Sequence, residues 1–174
     1  KGGDNHLLSG LARLFESEGF RLIGAHEIAP EILMPLGKVA GRSPTEAEQT
    51  DIARGVSLLR ATAPFDIGQA VVIQHGRVIG EESAKGTDEM LARSAVSMNG
   101  RGGVLVKMRK PQQDVRLDLP SIGPDTVRRA ASIGLSGIAV EAGHPVAQGA
   151  QTRGRGKRVQ CVLDAPSECL QQFG

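Results

Sequence analysis

The chain has 174 residues, enough for one domain or two small ones, and its 40% apolar and 23% charged content is ordinary for a soluble globular protein. A formal net charge of +2 is too small for bulk nucleic-acid binding, and the absence of Trp and Tyr removes the aromatic platforms on which bases stack. No run is long and apolar enough to span a bilayer, no signal-peptide pattern is present, and Cys161 and Cys169 lack the spacing of a zinc site or a disulfide scaffold, so a reducing cytosol is the default compartment.

The chain opens at Lys1-Gly-Gly-Asp-Asn5 without Met, which reads as a piece of something longer. Leu7, Leu8, Leu11, Leu14 and Phe15 recur at helical spacing, with Asp4 or Asn5 as cap and Gly19 as stop. Residues 20–25 read as a strand and residues 27–33 as a second short helix, together the end of an α/β unit. Residues 34–43 are rich in Gly and Pro and read as a connector. Ser43-Pro-Thr-Glu46 has the form of a capping box with proline at the first helical position, opening a helix to about Leu59 with Ile52, Val56 and Leu59 on one face. A domain boundary is expected near Phe65.

Residues 69–74, His75-Gly76 and residues 77–80 read as a hairpin. Gly86-Thr-Asp-Glu89 opens a helix, with Thr87 as the natural N-cap and acids in the first turn. Asn99 to Gly103 is a turn into a buried strand at 103–108. Pro124 or Asp125 opens another helix, Gly134 stops it, and residues 137–140 form a further short strand. Strand and helix alternating in this way predict an α/β fold with a mixed sheet. Residues 144–174 are polar, basic and Gly-rich, without helical or strand period, and read as a flexible tail. Gly149 to Gly154 has the gap of a P-loop, but Arg155 and Gly156 stand at the Lys and Ser/Thr positions and no good strand precedes it, which argues against that reading.

The chemistry concentrates in residues 107–123. Lys107, Arg109, Lys110 and Arg116 lie with Asp114 and Asp118 directly after a buried strand, and the carboxyl end of such a strand is where open α/β proteins place ligands. Taken by spacing alone, Asp114 and Asp118 fit surface partners of Arg116 and Lys110. The surrounding cations are the parts of a phosphate clamp, and carboxylates beside phosphate oxygens suit Mg²⁺. Thr87 at a helix start could donate to a phosphate, although from this tetrapeptide alone plain capping is the better reading. The four histidines show no ligand spacing, and no G-x-S-x-G elbow or G-x-G-x-x-G fingerprint is present.

Residues 2–5 (Gly-Gly-Asp-Asn), 86–91 (Gly-Thr-Asp-Glu-Met-Leu), the core Lys-Pro-Gln-Gln-Asp-Val-Arg-Leu-Asp-Leu-Pro within 107–123, and 137–143 (Gly-Ile-Ala-Val-Glu-Ala-Gly) resemble the LpxI-type UDP-2,3-diacylglucosamine pyrophosphatases of lipid A biosynthesis. The resemblance implies a Mg²⁺-dependent cytoplasmic hydrolase of Gram-negative bacteria, acting at or near the inner membrane. It would release UMP and 2,3-diacylglucosamine 1-phosphate (lipid X). It implies residues 1–33 as the end of an amino-terminal α/β domain, 34–65 as a linker, 66–143 as the catalytic domain and 144–174 as an atypical tail, a fragment that could lack activity alone. Carried over, Asp114 is the first candidate for the catalytic, metal-holding acid and Asp118 the second. Lys110, Gln113 and Arg116 would surround the diphosphate, with Thr87, Asp88 and Lys107 in the same pocket. The expected partner is the UDP-linked diacylated glucosamine, not a nucleic acid, with peripheral membrane contact and a homodimer as further expectations. A non-catalytic phosphate- or nucleotide-binding module is the alternative.

Overall fold

The computed structural model describes residues 4–33, 41–65, 67–111, 113–118, 121–141 and 160–162. Helix α1 covers Asp4–Ser17 and ends where Gly19 turns to φ +86°, as its sequence predicts. Two expectations fail in the next segment. Residues 20–24 form no strand, because an extended segment becomes one only when a neighbour fills its hydrogen bonds, and Gly24 N donates instead to Glu27 Oε1 at 2.8 Å. The expected helix at 27–33 splits into a single turn, α2 (Ala25–Ile28), and a 3₁₀ turn at Pro30–Ile32. Ala29 sits between them at φ −129°, ψ 71°, since a residue preceding proline is pushed out of the helical region. Most of the expected connector, at 34–40, lies outside the described residues.

Helix α3 covers Glu46–Thr62. Its capping box is Thr45 with Glu48, two residues beyond the expected one: Thr45 Oγ1 accepts from Glu48 N, and Glu48 Oε2 accepts from Thr45 N at 2.8 Å. Arg42 fixes the same Glu48 carboxylate with a guanidinium fork, Nη1 to Oε2 at 2.6 Å and Nη2 to Oε1. That ion pair, with the cap bonds, holds the Glu48 carboxyl down to about 2.

Strands β1 (Ala70–Gln74) and β2 (Arg77–Glu81) form the expected hairpin, with His75 at φ 51° and Gly76 at φ 72° in its two-residue turn. Helix α4 (Gly86–Ser97), β3 (Val104–Lys107), α5 (Pro124–Ser132) and β4 (Gly137–Val140) follow. A further strand, β5 (Gln160–Val162), pairs parallel with β4. It lies in the stretch expected to be a structureless tail, and backbone pairing along an exposed sheet edge needs no side-chain period. The rest of that stretch is outside the described residues.

The sheet runs β2-β1-β3-β4-β5, antiparallel from β2 to β3 and parallel from β3 to β5, which is the mixed sheet expected. Side chains alternate across it. Ala70, Val72, Leu105, Ile138 and Val140 face Met90 and Leu91 of α4 and Val127 and Ala130 of α5. Val71, Ile73, Val104, Val106 and Ala139 face Ile52, Val56 and Leu59 of α3. Helices thus cover both faces, and residues 70–73 of β1 and 104–106 of β3, buried on both sides, are continuous apolar runs for that reason. The polar segment that follows β3 leaves the sheet at its centre, between an antiparallel and a parallel neighbour.

Candidate active site

Lys107 is the last residue of β3, and the sheet geometry turns its side chain to the α4 face. It is 7% exposed. Its Nζ donates to Thr87 Oγ1 at 3.0 Å and to the Ser121 carbonyl at 3.1 Å. Burial pushes the ammonium below its ordinary range, and the negative charges of Glu82, Asp118 and Asp88 oppose that shift. A buried cation influenced by three carboxylates thus stands at the carboxyl end of a central strand, where open α/β proteins place ligands.

Thr87 is not the N-cap of α4. Lys85 holds that position, and the Thr87 side chain turns inward, where its hydroxyl meets both Glu82 Oε1 and Lys107 Nζ. Asp88 points outward to Arg129 of α5, 3.3 Å away, and reaches Lys107 only through its field.

The loop after β3 divides into two clusters. In the inner one, buried Gln113 accepts from Lys110 N at 3.3 Å and donates through Nε2 to Asp118 Oδ2, orienting the carboxylate whose charge acts on Lys107. In the outer one, both Asp114 oxygens accept from Arg116: Nε to Oδ1 at 3.0 Å and Nη2 to Oδ2 at 2.7 Å, with Arg116 N also on Oδ1 at 3.0 Å. Arg116 Nη1 continues to Glu16 Oε1 of α1 at 2.7 Å. The Arg116 hydrogen bonds hold the Asp114 carboxyl below its ordinary range, and the two acids raise the guanidinium in turn. The two aspartates remain close along the chain, since Asp118 N donates to Asp114 O at 3.0 Å.

Lys107, Thr87, Gln113 and Asp118 therefore converge, while Asp114 and Arg116 form a neighbouring ion pair. Glu82 and Glu141 were not expected from the sequence, and Arg109 was expected only as one of the cluster's cations. Glu82, 7% exposed, follows β2 in a Glu-Glu-Ser run that reads as solvated surface. Glu141 accepts from Arg109 N at 3.0 Å across the ends of β3 and β4. Arg109 Nε is buried without a partner among the described residues, an N–H donor suited to an anion.

Among the described residues, no group of three or more His, Cys, Asp or Glu side chains gathers as a metal cage. Mg²⁺ does not require one, because it is commonly held by one or two carboxylates with phosphate oxygens and water. The carboxylates of Asp118 and Asp114 are hard oxygen donors of the kind it prefers. Asp118 is the better placed of the two, since both oxygens of Asp114 are engaged by Arg116. No helix among the described residues is long and apolar enough to cross a membrane.

A family model described as the LpxI C-terminal domain matches residues 35–152. The chain is 42% identical over 148 residues to a protein of Caulobacter vibrioides named UDP-2,3-diacylglucosamine pyrophosphatase LpxI, an alignment covering 81% of this chain and 53% of that relative. The chain thus spans about half the length of the curated relative it matches.

Proposed function

The chain belongs to the LpxI family, and we propose that it carries the catalytic half of a hydrolase acting on UDP-2,3-diacylglucosamine in lipid A biosynthesis. Water adds to one phosphorus of the diphosphate and the P–O–P bridge breaks, giving UMP and 2,3-diacylglucosamine 1-phosphate. The observation that carries this reading is the buried Lys107 cluster, an enclosed positive centre with Asp118 beside it at the strand end.

The residues divide the work by their chemistry. Lys107 and Arg109 offer N–H donors to the diphosphate, whose charge would neutralise the buried ammonium. Gln113 holds Asp118 in orientation, and Arg116 does the same for Asp114. These aspartates would hold Mg²⁺, which supplies Lewis-acid polarisation of a phosphoryl oxygen when bound. We rank Asp118 first, the reverse of the order that resemblance implies, because both Asp114 oxygens already accept from Arg116 and would have to give up that fork to bind a cation.

The test is UMP release from UDP-2,3-diacylglucosamine by a protein carrying these residues together with the remainder of the relative's length. Mg²⁺-dependent release is expected, with Asp118→Asn lowering turnover by about 100-fold or more and Asp114→Asn by less, in line with the loss of a group that stabilises transition-state charge. Substrate binding without hydrolysis would support a binding module instead. Near-normal turnover in both variants would remove the aspartates from the site.

A further inference from the structure

We propose that Glu82 is the positioning residue of this site, and that it aims the Lys107 ammonium by fixing the direction of the Thr87 hydroxyl. The inference rests on Lys107 being the diphosphate-binding cation.

The argument begins with donor and acceptor capacity. An ionised carboxylate only accepts hydrogen bonds, a lysine ammonium only donates them, and a threonine hydroxyl has one proton to give. Glu82 and Lys107 flank the Thr87 oxygen on either side. The single hydroxyl proton must go to Glu82 Oε1, because Lys107 cannot accept it. The Thr87 lone pair is then turned to Lys107 Nζ at 3.0 Å. A second ammonium proton goes to the Ser121 carbonyl at 3.1 Å. Two of the three protons are thereby oriented, and tetrahedral geometry sets the direction of the third, which we assign to a phosphate oxygen.

Glu82 is itself held firmly. Its backbone N extends the hairpin by donating to Ala70 O at 2.9 Å, and its Oε2 accepts from Gln69 N at 2.8 Å. Gly68 lets this stretch of backbone approach: a Cβ there would stand 2.2 Å from the Glu82 carbonyl oxygen and 2.5 Å from Glu82 Cβ. With both oxygens committed, the carboxylate is a fixed acceptor and not a mobile counter-ion. The other charges facing Lys107 are Asp118, held by Gln113, and Asp88, paired outward with Arg129. Neither has a hydrogen bond to Thr87, so Glu82 alone among them can set the hydroxyl.

Glu82→Gln tests this with little change of shape. A glutamine has one uncharged oxygen for two donors, so the Thr87 hydroxyl either loses its acceptor to Gln69 N or keeps a weaker, charge-free one. Inorganic pyrophosphate is titrated calorimetrically into the chain as it stands and into Glu82→Gln, Thr87→Val and the double variant. Each single change is expected to weaken binding by about 10-fold or more, the scale of one charge-linked hydrogen bond. The double variant should be no weaker than the worse single one, because Glu82 acts through Thr87. Losses that multiply, or unchanged binding in Glu82→Gln, would overturn the proposal. The Lys107 Nζ–H resonance with ¹⁵N-labelled lysine gives a second, ligand-free readout. It should be protected from solvent exchange in the native chain and lose protection in both single variants. Failure of the native chain to bind pyrophosphate would count against the proposed function. Unchanged Nζ–H protection in the two variants would count against Glu82 itself.

Discussion

Asp51 should be among the costliest polar side chains to remove, although it lies on the opposite side of the sheet from Lys107. It is 4% exposed on the buried face of α3, and its carboxylate accepts from His75 N at 3.0 Å and Gly76 N at 2.6 Å. Those two amides belong to the hairpin turn in which both residues adopt positive φ, a conformation that a non-glycine residue such as His75 does not favour. Each hydrogen bond to a charged group contributes about 1.5–3 kcal/mol. His75 is exposed and Gly76 partly so, and water can rehydrate the amides once the carboxylate is gone. The lower end of that range applies twice, giving about 3 kcal/mol for Asp51→Ala. Asp51→Asn keeps the shape but offers one oxygen to two donors, so it should lose about half as much. Urea unfolding followed by far-ultraviolet circular dichroism measures both, and a lower midpoint with an unchanged slope marks a pure stability change. A loss below about 1 kcal/mol for Asp51→Ala would mean that the hairpin turn holds itself and that the helix-to-turn contact is incidental.

Two further outcomes follow from the same packing. Glu48 has a depressed folded-state value of about 2, so the stability it contributes is present above the unfolded carboxyl range and is lost as pH falls from about 5 toward 2. The contribution is about 1 kcal/mol once solvent screening of the Arg42 pair is allowed for, and Glu48→Gln should remove it and flatten that part of an acid-unfolding curve. Gly55 of α3 lies over β3, where an added Cβ would stand 2.6 Å from Val106 Cγ2. Gly55→Ala gains about 1 kcal/mol of helix propensity but overpacks the core by about 1–3 kcal/mol, so a net lower melting temperature is expected, and a rise would show that Val106 can move aside.

The sequence carried the periodic parts of the fold well and the singular parts poorly. The strands at 70–74, 104–107 and 137–140 are apolar runs bounded by glycine and turn residues, and burial on both faces leaves them no other reading. The helix cap slipped by two residues because Ser43-Pro-Thr-Glu46 and Thr45-Glu-Ala-Glu48 are both valid boxes. Arg42 favours the second by pairing with Glu48. Asp51 had a usable signal: at the spacing of Ile52, Gly55, Val56 and Leu59 it is an acid on an apolar stripe, and such an acid needs buried donors. The Thr87 assignment failed for a different reason. A threonine near a helix start is a cap unless something stronger claims its hydroxyl, and the claimants here are Glu82 and Lys107, the latter 20 residues away.

The same contrast governs the site. Residues 107–123 were identifiable as a unit because charge density after a buried strand is a local property. Which of its acids meets the buried cation was not, because the loop has no period to propagate a direction. Asp114 and Asp118 are four residues apart, with the Asp118 amide on the Asp114 carbonyl, yet one carboxylate goes outward to Arg116 and the other inward toward Lys107. The division follows from what each can reach. Arg116 sits two residues from Asp114 and carries a fork that fits a carboxylate, so it takes both oxygens. Gln113 sits five residues before Asp118 and offers only one amide edge, which holds Oδ2. The charge balance then follows. The outer pair neutralises itself and reaches Glu16 on α1, fixing the loop to the amino-terminal helix. The inner group keeps an ammonium and carboxylates out of bulk water, where a diphosphate would feel them most strongly.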